Sequence, residues 1–157
     1  MELGACIALC SDQLYEQFRA LVDIFRGSIL GVLPYRAEDG LFYQVIDHPE
    51  AEGNYTETAG SAMIADSLLK GVRIGVLDAE KYLPIAMDVF EKLAANKLRA
   101  EEDGVVRLTD ICWLAGLGPD KYPQRDGSVA YYLSEPKKSD DSKGVGPFIM
   151  AYSEYLR

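Results

Sequence analysis

An acidic glycine turn occurs twice in this chain. The run EDGLFYQV (38–45) returns as EDGVVRLT (102–109), each after a helical stretch, with Gly40 and Gly104 64 residues apart. A second echo, GSAMIA (60–65) and GPFIMA (146–151), has an offset of 86. Each unit reads helix, acidic glycine turn, short extended piece, polar loop, small-residue helix. Self-similarity on this scale restricts the chain to an array of helical hairpins, because one such unit cannot bury its apolar face alone and must stack on its neighbours.

The hydrophobic spacing fills in the array. Leu14, Phe18, Leu21, Val22, Phe25 and Ile29 recur at three- and four-residue steps and predict an amphipathic helix over 12–31. Before it, ELGACIALC reads as the tail of a more buried, small-residue helix. Pro34 and the Gly40 turn end the second helix, and LFYQVID (41–47) is expected as a short extended run. A small-faced helix follows over 58–70, with Gly71 as its C′ residue. Asp78 is placed to cap a helix over 79–98, in which Pro84 predicts a kink or a start nearer Leu83. Tyr131 and Tyr132 read as alternating along a strand, one packed and one free. The last helix is expected from Pro147, in its first turn, to Leu156. The strongly amphipathic helices (12–31, 79–98) suit an outer ring and the small-faced ones (58–70, 147–156) a crowded inner ring. Two and a half hairpins do not close a ring, so a larger protein or an assembly is expected around residues 1–157.

Composition narrows the partners. A net charge of −9 and an isoelectric point near 4.6 argue against a nucleic-acid or anionic-membrane surface, which needs a basic field. The three cysteines, Cys6, Cys10 and Cys112, include no CxxC pair, and they are expected to be reduced core thiols. MELGACIALCSDQ has no basic leader region and no run long enough to span a bilayer, which points to the cytoplasm.

Candidate chemistry sits where the small-faced helices begin, at 57–61 and 145–148, since helix N-termini present free N–H groups to whatever fills the mouth. The first loop offers Tyr55, Glu57 and Ser61, and the second Arg125, Ser128, Tyr132 and Lys143. These seven are the expected substrate-binding residues: tyrosines stack on a sugar face while hydroxyls and charges bond its oxygens. Duller roles compete. Glu57 and Ser61 can cap their own helix, Lys143 can pair with Asp140 or Asp141, and Gly144 with Gly146 need only mark a tight turn. The lone His48 lies in a loop before Pro49. Phosphate-loop, nucleophile-elbow and zinc-protease signatures are absent. For a paired-carboxylate glycosidase the available groups are Glu57, Asp126 and Glu135.

Several blocks together are similar to one family. YQVIDHP (43–49), YTETAGSAMIADSLLKGVRIGVLD (55–78), AGLG (115–118), RDGSVAYYLSEP (125–136) and KGVGPFIMAYSE (143–154) resemble the C-terminal half of the unsaturated rhamnogalacturonyl hydrolases, glycoside hydrolase family 105, relatives of family 88. The resemblance implies an all-α fold, part of an (α/α)6 barrel, formed by residues 1–157 as one unit. It also implies an activity that removes 4,5-unsaturated galacturonic acid from pectin fragments without a metal or organic cofactor. In that family an aspartic acid protonates the vinyl ether double bond, water adds at the adjacent carbon, and the hemiketal falls apart. No residue here matches that aspartate, which belongs to the N-terminal half of the barrel, and the tryptophan- and glycine-rich motif of the fourth inner helix is missing. The chain is therefore expected to be inactive alone, with an unsaturated uronic-acid oligosaccharide as ligand and a homo-oligomer or a missing N-terminal half as partner. The alternative is a non-catalytic sugar-binding or protein-interaction module that reuses half a barrel.

Overall fold

The computed structural model describes residues 2–9, 14–102, 104–118, 123 and 125–157. Helix α1 (Glu2–Leu9) and helix α2 (Tyr15–Val32) lead through a 3₁₀ turn, Leu33–Tyr35, to a loop and then to α3 (Thr58–Arg73) and α4 (Ala79–Lys97). A small hairpin of β1 (Leu98–Ala100) and β2 (Val106–Leu108) follows, then β3 (Ile111–Cys112), α5 (Val129–Ser134), β4 (Lys137–Lys138) and α6 (Ser142–Tyr155). Both two-stranded ribbons, β1 with β2 and β3 with β4, are antiparallel.

Burial sorts the helices into two layers. Helix α3 packs on α6 and α4 and touches α1, and it is buried on nearly every side, from Thr58 through Gly71. Helix α2 buries only the stripe Val22, Phe25 and Ile29, and α4 the stripe Tyr82, Ala86, Val89, Phe90, Leu93 with Lys97. Thus α1, α3 and α6 form an inner row and α2 and α4 an outer one, as the alternation of faces predicts. The core between the rows gathers Phe25, Ile29, Leu41, Leu68, Leu77, Phe90 and Leu93. Each such side chain contributes roughly 1.5–3 kcal/mol when fully buried. Phe90 also packs against the tilted rings of Phe148 and Tyr155, at centroid distances of 5.5 and 4.7 Å, which locks α4 to α6.

The sequence repeat is a structural one. Ala37 N–H donates to Leu41 O at 2.8 Å and Gly40 N–H to Ala37 O at 3.0 Å; 64 residues on, Glu101 N–H donates to Val105 O and Gly104 N–H to Glu101 O, both at 2.9 Å. The bridge between Arg36 and Phe42 returns as the pairing of Ala100 with Val106. Gly40 and Gly104 hold φ of 86° and 79°, a region that glycine enters at little cost. In the second echo Ala65 and Ala151 are equivalent and both are fully buried in the inner row, where small side chains let α3 and α6 approach.

Several boundaries differ from the expectation. Helix α6 starts at Ser142, capped by the Asp141 carboxylate, so Pro147 lies inside it and Gly144 and Gly146 are helical. Gly144 is needed for close packing, since a Cβ there would fall 2.6 Å from Ile111 Cδ1. Gly71 does not end α3. It sits within the helix against Leu77 and Phe25, and the terminator is Gly75 at φ 74°. There Val76 N–H returns to Gly71 O and Gly75 N–H to Val72 O, a Schellman closure. Tyr131 and Tyr132 lie on α5, not on a strand, because Ser128 caps a helical turn there. Asp78 caps α4 as expected, accepting from Lys81 N–H at 3.2 Å, and the helix runs through Pro84 without a later start. Residues 41–47 are mostly bends with isolated bridges. Cys112 is a buried thiol, but Cys6 is exposed: the side of α1 that turns inward carries Gly4 and Ile7. Cys10 lies outside the described residues.

Gly144→Ala should destabilise the protein by about 1–3 kcal/mol, because Ile111 and the backbone must shift to admit a methyl group. Gly146→Ala, with open space around the added carbon, should be neutral or gain up to about 1 kcal/mol from helix propensity. Urea unfolding of both variants checks the contrast.

Candidate functional site

The inner helices α3 and α6 begin at one end of the molecule, under the loops 36–57 and 109–141. Asn54 shapes the first loop. Its Oδ1 accepts from Val45 N–H and Tyr55 N–H, and its Nδ2 donates to the carbonyls of Val45 and His48 at 2.9 and 2.8 Å. Thr56 donates its hydroxyl to Asp39 at 2.8 Å, which ties the loop back to the acidic glycine turn. His48 itself is exposed and pairs with Asp47 at 3.0 Å, and this contact raises its pKa.

The loop delivers Tyr55 and Glu57 to the start of α3. Glu57 is buried, and its two carboxylate oxygens accept from Gly60 N–H at 2.6 Å and from Cys112 N–H at 2.9 Å. One side chain therefore caps α3 and anchors β3. Ser61 is buried one turn further and accepts from Phe42 N–H at 3.1 Å. Thr58 donates its hydroxyl to Thr109 O at 2.6 Å. Both Glu57 and Ser61 are thus engaged with backbone.

Around this anchor lies a charged cluster. Lys97, the last residue of α4, is buried and donates to Thr56 O at 2.7 Å and to Asp110 Oδ2 at 3.0 Å. Lys137 on β4 approaches Asp110 Oδ1 at 3.2 Å and lies 4.8 Å from the centroid of the Tyr55 ring. Burial pushes the Asp110 pKa up, but hydrogen bonds and charge from Lys97 and Lys137 outweigh it and hold the carboxyl below the usual range. The Tyr55 hydroxyl is buried beside the Cys112 thiol and has no hydrogen-bond partner of good geometry among the described residues. Burial first, then the thiol and the charges of Glu57 and Asp110, raise its pKa, and burial likewise raises that of Cys112. Neither group ionises readily at neutral pH.

The second loop contributes Arg125, whose Nε lies 3.5 Å from Glu135 Oε1. Glu135 reaches Cys112 electrostatically on one side and Tyr131 on the other, which links this loop to the first. Ser128 caps α5 by accepting from Tyr131 N–H, and Asp126 accepts from Ser128 N–H at 2.8 Å. The Tyr132 ring packs at a tilt against that of Tyr131, 5.1 Å between centroids, and the Tyr131 hydroxyl donates to Gly116 O. Lys143 pairs with Asp141 at 2.8 Å in the first turn of α6 and stays half-exposed. Of the seven sequence candidates, Tyr55, Glu57 and Arg125 gather around Cys112 and Glu135. Ser61 lies beneath them, Ser128 and Tyr132 belong to α5, and Lys143 to α6.

Lys97, Asp110, Cys112 and Lys137 were not among those candidates. The TDIC run around Asp110, which takes a left-handed φ of 56° in the fold, and the paired lysines of EPKK were the only sequence features there to notice. Among the described residues no group of three or more histidine, cysteine or carboxylate side chains could hold a metal ion, and no helix is long and apolar enough to cross a membrane.

Helical hairpins in two rows, with polar loops over the inner-helix N-termini, define part of an α/α-barrel glycoside hydrolase. The chain belongs to Glycosyl Hydrolase Family 88, whose sequence profile it matches over residues 9–157. A family 105 glycoside hydrolase of Clostridium acetobutylicum superposes with a TM-score of 0.91 at 37% identity, over 98% of this chain and 42% of that one. Protein Atu3128 of Agrobacterium fabrum is 42% identical over 98% of this chain and 66% of its own length. An unsaturated 3S-rhamnoglycuronyl hydrolase of Formosa agariphila is 27% identical over 99% of this chain and 36% of its own length. The chain thus spans just under two thirds of one curated relative and little more than a third of the other.

Asp110→Asn should lower stability at neutral pH. The depressed pKa of Asp110 means that its contribution is fully present above the unfolded value of about 4 and is lost as pH falls through the folded one. Wild type and variant should therefore converge in acid, which denaturant titrations at pH 7 and below pH 4 would register.

Proposed function

We propose that residues 1–157 form a substrate-binding wall of a glycoside hydrolase that removes 4,5-unsaturated galacturonic acid from rhamnogalacturonan oligosaccharides by hydrating the vinyl ether. The proton donor is supplied by other hairpins of the barrel. One observation carries this division: the carboxylates at the start of the inner helices are already engaged. Glu57 accepts from two backbone amides, Asp110 faces two lysines, Asp126 accepts from Ser128, and Glu135 faces Arg125. A general acid must keep its proton until it reaches the substrate. At Asp110 the effect of burial is outweighed by hydrogen bonds and charge from Lys97 and Lys137, and at Asp126 hydrogen bonds from Ser128 lower the pKa, the opposite of what a proton donor needs.

Family membership and the likeness to an unsaturated 3S-rhamnoglycuronyl hydrolase support the substrate class. In this reading Tyr55, Arg125, Tyr132 and Lys143 contact the sugar, while Glu57, Ser61 and Ser128 hold the elements that carry them. The free thiols Cys6 and Cys112 fit a reducing cytoplasm. Other hairpins, or a second copy, cover the apolar edges of the arc.

The 157-residue chain, incubated with an unsaturated galacturonyl-rhamnose disaccharide, should leave the ultraviolet absorbance of the double bond unchanged. It should still bind the disaccharide in calorimetry, and Lys143→Ala should weaken that binding about two- to fivefold, the range for one exposed charge pair. Turnover by the chain alone would overturn the division and make Glu57, Asp126 and Glu135 the acids to test. Absence of any binding heat would overturn the substrate class.

A further inference from the structure

Trp113 is the single tryptophan of the chain, and it stands 45% exposed directly after the buried pair Ile111 and Cys112. Tryptophan is usually buried over most of its surface, so one placed in solvent at the end of a ribbon calls for an explanation. Its backbone N–H donates to Pro136 O at 3.0 Å, extending the β3–β4 ladder by one step. Side chains alternate across such a ribbon, so the register separates two sets. Cys112 and Lys137, cross-strand partners, share the side on which Lys137 covers Tyr55. Trp113 and Lys138 share the other, at diagonal positions that long side chains can bridge. Lys138 Nζ lies 5.3 Å from the Trp113 ring centroid.

This second pair is open where the first is closed. Lys137 is neutralised by Asp110, whereas the Lys138 ammonium has neither an ion pair nor a hydrogen bond among the described residues. The carboxylate that reaches it, Asp141, already accepts from Lys143 Nζ at 2.8 Å and Lys143 N–H at 3.0 Å. In a chain of net charge −9, an ammonium whose countercharge is taken elsewhere, resting on an exposed aromatic face, is a local exception to the field.

We propose that Trp113 and Lys138 form a subsite for a uronic-acid unit, with the sugar's C–H face stacked on the indole and its carboxylate paired with the Lys138 ammonium. The proposal rests on the reading that this chain handles acidic oligosaccharides, and it adds where one acidic unit of the chain is held. The apolar face of a pyranose loses little on leaving water for an indole. The ring also holds the lysine in place, so pairing with a carboxylate orders less side-chain freedom than it would for a free lysine. A neutral sugar gains only the stacking, and a carboxylate without the aromatic meets the negative field of the whole chain.

Because Trp113 is the only indole, its fluorescence reports on this site alone. Trigalacturonate titrated into the full chain should change the emission saturably. Its methyl ester, and the Lys138→Gln variant, should each bind about five- to tenfold more weakly, and Trp113→Ala should lower the calorimetric affinity about tenfold. Both side chains are exposed, and unchanged far-ultraviolet circular dichroism would show that the variants fold. Binding heat that is the same in Trp113→Ala, with still emission in the wild type, would overturn the subsite while leaving the proposed function intact. Equal affinity for the methyl ester would overturn carboxylate recognition. Neither heat nor emission change at any concentration would overturn both readings.

Discussion

A buried ammonium organises the loop end of this chain. Lys97 leaves the last turn of the outer helix α4 and ends between the Thr56 carbonyl and the Asp110 carboxylate, at 2.7 and 3.0 Å. A lysine so placed is tolerated only when its charge is met, because removing an ammonium from water costs several kcal/mol. Its partners fix the two segments that matter. Thr56 precedes the start of α3, and Asp110 precedes β3, so one side chain sets the inner helix, the outer helix and the ribbon relative to each other. Glu57 repeats the device in negative charge, joining the Gly60 and Cys112 amides.

The same logic holds the far side of the ribbon. Asp140, at a left-handed φ of 56°, accepts from Leu108 N–H at 2.9 Å and from Arg107 at 2.8 Å, while its own N–H donates to Leu108 O. Aspartate enters that backbone region more readily than most residues, so the turn that feeds α6 is clamped to β2 without a glycine. The other end of the inner row is held differently. Asp66 is fully buried beside Lys70 at 3.2 Å, one turn along α3, and burial raises its pKa despite the lysine.

What the sequence made legible was periodicity and repetition. The amphipathic stripes of α2 and α4, the small face of α3, the Asp78 cap and the 64-residue repeat are all local signals, and each has a structural counterpart. Helix α6 was placed five residues late because Pro147 matched the pattern of a first-turn proline, while the true cap, Asp141 before Ser142, lay in a run that also reads as a polar loop. Gly71 resembled a terminator because it follows Lys70, yet its reason is tertiary: Phe25 and Leu77 leave no room for a Cβ. Lys97 was invisible for a similar reason. A basic residue in a last helical turn usually serves the helix dipole, and only the fold shows that two loops close over it.

Several carboxylates of the loop end are tied to amides or lysines: Glu57 to the amides of Gly60 and Cys112, Asp110 to Lys97 and Lys137, Asp126 and Asp141 to the first turns of α5 and α6. Its ammonium groups at Lys137, Lys138 and Lys143 stay outside, two of them resting on aromatic rings. Backbone amides at helix starts attract carboxylates, while these three ammonium groups lie at the surface and Lys97 is buried beneath them. This arrangement supports the proposed binding of an acidic sugar. Proton delivery asks for a carboxyl kept neutral by apolar surroundings, and the engaged carboxylates described above meet donors and cations instead.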